Sequence, residues 1–506
     1  MNSDHVDVLI IGAGLSGVGA AWHLRDKCPG KTFALLEGRA RMGGTWDLFR
    51  YPGVRSDTDM YTLGYKFKPW KNTQTIADGT LIREYIEETA RESGIAQHIR
   101  FDHKVKHASW SSESATWTVT AARSDGELVT LTCNFLMMCS GYYSYDGGYT
   151  PEFKGRESFK GQIIHPQAWP EDLDYTGKRV VVIGSGATAV TLVPSMADKA
   201  AHITMLQRSP TYVLTMPRED RVSPLLRRFL PDKVVHHAAR AAFFGAQAAV
   251  YQISKRSPEL SRRLLLAGVR HQLDGKLDMK HFTPRYMPWD ERLCAVPNGD
   301  MFKCIREGKV SVVTDHIERF TEQGVLLKSG QTLEADIIIT ATGLEMRLFG
   351  GMGIDVDGVP KAMNEALTYK GVMFADVPNL SLTVGYTNAS WTLRADLVAE
   401  YVCRLLNAMD ERGAQQVMAR NPGAHVGVRP MLEMASGYVA RAKDRLPRQG
   451  VDSPWQLPQS YRTDLKALRF DRLDDQHLRF SNPSQKTAEA TTKSVPRAKS
   501  RPLTVN

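Results

Sequence analysis

The chain has 506 residues, 42% hydrophobic and 24% charged, a globular composition long enough for two or three domains and unlike a fibre or a disordered chain. Its net charge of +10 is uneven, with 14 Lys/Arg against 6 Asp/Glu in residues 218–285 and 5 against 1 in residues 486–506. A basic patch attracts nucleic acid, anionic lipid or a phosphorylated cofactor, but no nucleic-acid motif accompanies this one, and six scattered cysteines without a C-x-x-C pair fit a reducing compartment rather than a disulfide or zinc scaffold.

VDVLIIGAG predicts a strand from Val6 running into a glycine turn. The run contains Asp7, has no basic flank and is too short for a signal or a membrane span, so a cytosolic protein is expected. GAGLSG places Gly12, Gly14 and Gly17 around Ser16 in the G-x-G-x-x-G spacing. That spacing permits a tight turn, close approach of backbone to a pyrophosphate and close helix packing. After the predicted helix, the strand KTFALLE ends at Glu37, 25 residues beyond Gly12 and suited to accept hydrogen bonds from a ribose diol.

The same strand-turn-helix-strand unit returns at KRVVVIGSGATAVTLV and HITMLQRS, with Gly184, Ser185, Gly186, Ala187, Thr188 and Ala189 as a G-x-G-x-x-A turn. Here the position matching Glu37 holds Arg208 followed by Ser209. A guanidinium and a hydroxyl suit a 2′-phosphate, which a carboxylate would repel. The first unit is therefore expected to hold FAD and the second NADPH, with hydride passing from nicotinamide to flavin.

Between Pro217 and Trp289 the runs VVHHAARAAFFGAQAAVYQI and ELSRRLLLAGVRHQL, punctuated by Pro224, Pro231 and Pro258, predict helices. His236, His237, Arg240 and Gln247 interrupt the first run, so it should not cross a bilayer. The helices are expected to roof a pocket, with weak contact with a membrane surface as the alternative. VSVVTDHIERF and EADIIITATG are expected to return as strands, and the Ser/Thr/Lys/Pro-rich tail from about Asn482 to be disordered.

The expected fold class is α/β, with two dinucleotide-binding, Rossmann-like domains and a helical insertion in the second. The expected boundaries are 1–145 and 344–481 for the FAD domain, 146–216 and 289–343 for the NADPH domain, 217–288 for the insertion and 482–506 for the tail.

FKGQIIHPQAWP carries Phe159, Gly161, His165, Trp169 and Pro170 as F-x-G-x-x-x-H-x-x-x-W-P, and Gly44 to Asp57 reads GTWDLFRYPGVRSD. On these residues the chain resembles the type I Baeyer–Villiger monooxygenases from about Val6 to about Phe480. Through WPEDLDY, MLQRSPTY, VPNGD and TVGYTNASWTL it is most similar to their ethionamide-activating subfamily. The resemblance implies that the 44–57 segment lies along the flavin, adding Gly44, Thr45, Trp46, Asp47 and Asp57 to the expected cofactor contacts, together with Val105. It also implies that Arg292, in PWDERLC, stabilises anionic charge during oxygen transfer, with Asp57 as its partner carboxylate.

His165 is expected to hold a linker rather than to do chemistry. Many family members place a lysine before the arginine, whereas this chain has Glu291, so NADPH preference would rest on Arg208 and Ser209. The implied reaction inserts one oxygen atom of O2 beside a ketone carbonyl to give an ester or lactone, with oxidation of thioethers or thioamides as a second activity. The alternatives are a flavin monooxygenase acting only on nitrogen or sulfur centres, and a non-catalytic nucleotide-binding protein of membrane surfaces. Pocket walls are expected from the insertion and from the loop GYTNASWTLRAD.

Overall fold

The computed structural model describes residues 4–483 except 292, 424 and 435. Its larger sheet begins with β1 (Asp4–Ile11), β2 (Phe33–Leu36), β3 (Ile99–Arg100), β4 (His103–Ser111), β5 (Thr116–Arg123) and β6 (Leu128–Met138). The spatial order is Val359–Pro360, Gly353–Val356, β4, β5, β6, β1, β2, β3, and Leu380–Leu382 pairs in parallel with the end of β6. β6, β1, β2 and β3 run parallel, the arrangement that needs crossover connections rather than hairpins. One crossover is the helix Leu15–Lys27, against which the helix Trp391–Glu411 packs. Continuous apolar runs such as VLII and FALL are buried on both faces, Val8, Ile10, Phe33 and Leu35 against helices and Leu9, Ile11, Ala34 and Leu36 against side chains of β4 and β5.

The smaller sheet is wholly parallel, in the order Val310–Thr314, His202–Gln207, Arg179–Ile183, Ile337–Thr340, Gln162–Ile164. Its first crossover is the helix Ala187–Met196. The run VSVVTDHIERF is divided between two sheets. Val310–Thr314 forms the edge of the smaller one, while Ile317–Thr321 starts an antiparallel sheet with Gly324–Leu327 and Thr332–Glu334. Asp315 makes the break, its carboxylate accepting from the amides of His316 and Ser329.

The chain passes from one sheet to the other twice, near residues 140–150 and again at 341–344. The two crossings are bonded together: the Tyr149 amide donates to Gly343 O at 3.0 Å and Thr342 Oγ1 donates to Tyr149 O at 2.7 Å.

The insertion forms helices at Val222–Leu226, Asp232–Arg256 and Pro258–Leu273, with Pro231 and Pro258 at helix starts, where a missing amide proton costs nothing. Arg240 fastens the long helix to the larger sheet's side of the molecule. It donates to the carbonyls of Tyr61 and Gly64 at 2.6 and 2.7 Å and lies 3.6 Å from Asp396. His236, one turn earlier, is fully buried, and burial pushes its pKa down to about 4. Among the described residues no helix is long and apolar enough to cross a membrane.

Candidate active site

A cavity of about 790 Å³ opens between the two sheets beneath the insertion. The first glycine turn forms one wall. Gly12 has φ of +105°, and a Cβ there would meet Cys139 O at 2.6 Å, so both the conformation and the space demand glycine. Gly14 lies against Gly44, whose neighbour Gly43 donates its amide to Ala13 O at 3.0 Å. Gly17 does not line the cavity, because it packs the helix onto the Gly12 carbonyl behind the turn.

Glu37 is buried at the end of β2, with its oxygens accepting from the Ala13 and Arg39 amides at 2.8 and 3.1 Å. Burial raises its pKa, and these amides together with the Arg39 guanidinium oppose the rise. Ser16, Gly44, Thr45, Trp46, Asp57 and Val105 line the same space. Asp47 lies beneath it, 2% exposed, with Arg39 at 2.7 Å and Arg50 at 2.6 Å on its carboxylate. It braces the wall rather than facing the cavity.

The Tyr51–Asp57 segment reaches the second half of the molecule. At Gly53, φ is +77° and a Cβ would fall 1.8 Å from Ser195 Oγ, so glycine lets this strap touch the helix that follows the second turn. Tyr51 is buried against Thr188, and burial pushes its hydroxyl pKa up to about 12. Ala187 and Thr188, at that helix's first turn, line the cavity.

None of Gly184, Ser185, Gly186 and Ala189 lines the cavity: Gly184 abuts Ala341 O, Ser185 is half-buried, Ala189 is fully buried in the core of that half, and Gly186 faces outward, where a Cβ would meet nothing within 4 Å. Arg208 and Ser209 are exposed there, and Ser185 Oγ donates to Ser209 O at 3.1 Å. Glu291 is pushed up by burial and drawn down by the positive charge of Arg208, so the acidic departure acts on the second site.

Arg292 lies outside the described residues. Trp289 and Leu293, on either side of it in the chain, line the cavity. The motif around His165 stays out of the cavity and sits on the paired crossings. His165 Nε2 lies 3.2 Å from Gly343 O, its Nδ1 accepts from the Gln167 amide, and its ring fills the space that a Cβ on Gly148 would occupy. Burial lowers its pKa. Phe159 is buried beneath the smaller sheet, the Gly161 Cα abuts Asp336 O, and Trp169 packs on the core of that half with Pro170 following it.

Several wall residues have no local motif. Trp391 donates from Nε1 to Ser16 Oγ at 2.7 Å and stacks on Tyr142, while Phe243, Gln247 and Val250 descend from the insertion. Asn388 and Ser390 come from the GYTNASWTLRAD loop. The donor set fits FAD. The glycine cradle has no room for side chains, a buried carboxylate ends β2, and Ser140 Oγ borders the cavity without a protein partner among the described residues.

Residues 72–422 match the model of flavin-binding monooxygenase-like proteins, and residues 10–73 match an NAD(P)-binding Rossmann-like domain. The chain belongs to the flavin-binding monooxygenase-like family. This flavin monooxygenase is 55% identical over 481 residues to the FAD-containing monooxygenase EthA of Mycobacterium tuberculosis, covering 95% of this chain and 98% of that one. It is 49% identical over 492 residues to a probable FAD-binding monooxygenase, AlmA, of an Acinetobacter species, covering 97% and 99% of the two chains. In fold it is similar to oxidised steroid monooxygenase bound to NADP, with a TM-score of 0.73, 22% identity and coverage of 94% and 100%. Cyclohexanone monooxygenase in its closed form gives 0.68 at 22% identity, covering 83% of this chain and 87% of that one. The enzyme is a flavin-binding monooxygenase.

Proposed function

We propose that this flavin monooxygenase catalyses Baeyer–Villiger oxygenation, inserting one oxygen atom of O2 beside a ketone carbonyl to give an ester or lactone. One observation carries the reading: a single cavity is bordered by the first turn, the Gly44–Asp57 strap, the start of the second-turn helix and apolar side chains such as Leu214, Met216, Phe243 and Val250. An apolar ketone held there would meet both cofactor sites.

FAD, when bound, supplies a ring that accepts hydride from NADPH and activates dioxygen. The protein's residues do the rest. Gly12, Gly14 and the Leu15–Lys27 helix start receive the pyrophosphate, and Glu37 accepts from ribose hydroxyls. Arg208 and Ser209, aided by Ser185, hold the 2′-phosphate of NADPH. Asp57 orients Arg292, whose guanidinium stays charged at any working pH and compensates the negative charge that develops on the ketone oxygen. Aromatic walls keep water from that charge and strengthen the compensation. His165 and its motif tie the two halves together, with boundaries near 145 and 343 and with the insertion at 217–288.

Thioethers and thioamides are proposed as second substrates, being electron-rich sulfur centres small enough for the same cavity. The enzyme would work in the cytosol, with peripheral contact with membranes. The test is product analysis by gas chromatography with FAD-loaded enzyme, NADPH and 2-octanone or acetophenone beside a thioether. Ester supports the reading, and sulfoxide without ester from either ketone would replace it by heteroatom oxidation.

A further inference from the structure

Ten of the fifteen large apolar side chains exposed among the described residues lie between 222 and 264. Phe229 is 79% exposed, Leu264 63% and Leu225 54%. On the helix Asp232–Arg256 the exposed positions Val234, Ala238, Ala241, Gly245, Ala249 and Ile253 recur every three or four residues, forming one apolar stripe on the solvent side. A soluble monomer rarely leaves so much contiguous apolar surface without a use.

The rim of this face is basic. Arg221, Arg228, Lys233, Arg256 and Arg263 are exposed around it, and Lys255, also exposed, lies 3.6 Å from Asp290. The two acids in the span are already engaged, Asp232 by Lys71 and Arg227 at 3.8 and 3.9 Å and Glu259 by Arg262 at 3.9 Å. The same long helix lines the cavity through Phe243, Ala246, Gln247 and Val250, and Val250 is also 46% exposed. The apolar face therefore adjoins the cavity's rim.

We propose that this face docks on an anionic lipid surface and that apolar substrate enters the cavity from the bilayer, an extension that rests on the cavity being the substrate site. Apolar side chains entering the interface and cations at the headgroups favour the same orientation. A second copy of the chain is a poorer occupant, because a two-fold contact would set the basic rim against itself.

Flotation of the FAD-loaded enzyme with phosphatidylcholine vesicles, with and without phosphatidylglycerol, tests the docking. Binding is expected only with phosphatidylglycerol and should weaken as salt rises. Leu225→Glu with Phe229→Glu, neither in the cavity, should lower the bound fraction about tenfold or more while FAD content and turnover of a water-soluble ketone stay unchanged. Arg228→Gln with Arg263→Gln, which spares the apolar stripe, should weaken binding by a smaller factor and flatten its salt dependence. A long-chain ketone should turn over faster in phosphatidylglycerol-containing vesicles than in phosphatidylcholine alone, and the double glutamate variant should erase that difference.

Absence of flotation would overturn the proposal, as would a wild-type dimer in solution that the double glutamate variant splits. Failure to make ester from the water-soluble ketone would instead defeat the ketone reading, leaving flotation to decide the docking.

Discussion

The two glycine turns share a sequence pattern and differ in enclosure. The first is closed in by Cys139, Gly43 and Gly44, with Glu37 buried at the neighbouring strand end. The second is open: Gly186 and Arg208 face solvent. A resident cofactor and an exchanging one call for the same anion-binding turn, so what separates them is the wall built around it. In the proposed assignment, the charge beside each turn, carboxylate in one and guanidinium in the other, then selects the nucleotide.

Six substitutions would break or sharpen that contrast. Arg292→Ala should lower ketone turnover by roughly a hundredfold or more, the usual cost of removing a preorganised cation or donor from the developing oxyanion. Bleaching of bound flavin by NADPH should persist in that variant, and near wild-type ester yield with FAD in place would end the assignment. Gly12→Ala should give protein with little bound FAD, read from the flavin-to-protein absorbance ratio. Gly186→Ala should leave FAD content intact and raise only the KM for NADPH; equal FAD loss in both would erase the contrast between the turns.

Arg208→Ala should raise the KM for NADPH by about tenfold or more while leaving NADH unchanged, as expected for loss of a charge-assisted contact to the 2′-phosphate. Glu291→Gln should shift NADPH affinity the other way by a smaller factor, since it removes a negative charge acting on Arg208.

The smallest effect concerns Glu37. Burial raises its pKa above the ordinary 4.5 in the cofactor-free protein. Ribose hydroxyls donate to the ionised form, so FAD retention should be full above the raised pKa and weaken as pH falls through it. The fold without FAD has the opposite sign: burial favours protonated Glu37, and this contribution to stability is lost as pH rises through the same pKa. FAD titrations of Glu37→Gln should lose that pH dependence.

Much of this was readable in the chain. Both turns, the opposite charges at Glu37 and Arg208, and the helical roof depend on local spacing, and local spacing survives into the fold. The motif at Phe159–Pro170 could be tied to a linker, but the reason for its residues, a histidine ring lying on Gly148 and reaching Gly343, needs three distant segments at once. Trp391 meets Ser16 across 375 residues of sequence. Asp47 looks like one more residue of the flavin segment, and only the positions of Arg39 and Arg50 show it to be a buried brace. Periodicity likewise could not divide VSVVTDHIERF, because the break at Asp315 depends on an amide fourteen residues later.

The late pairing of Leu380–Leu382 with Leu136–Met138 also bears on the order in which a ribosome could complete the molecule. Every strand of the smaller sheet has been synthesised by Thr340, whereas the end of β6 must wait for a partner made some 240 residues after it. The half that emerges first is thus the last to be finished, and until then it carries an open apolar strand edge, the kind of surface that chaperones shield.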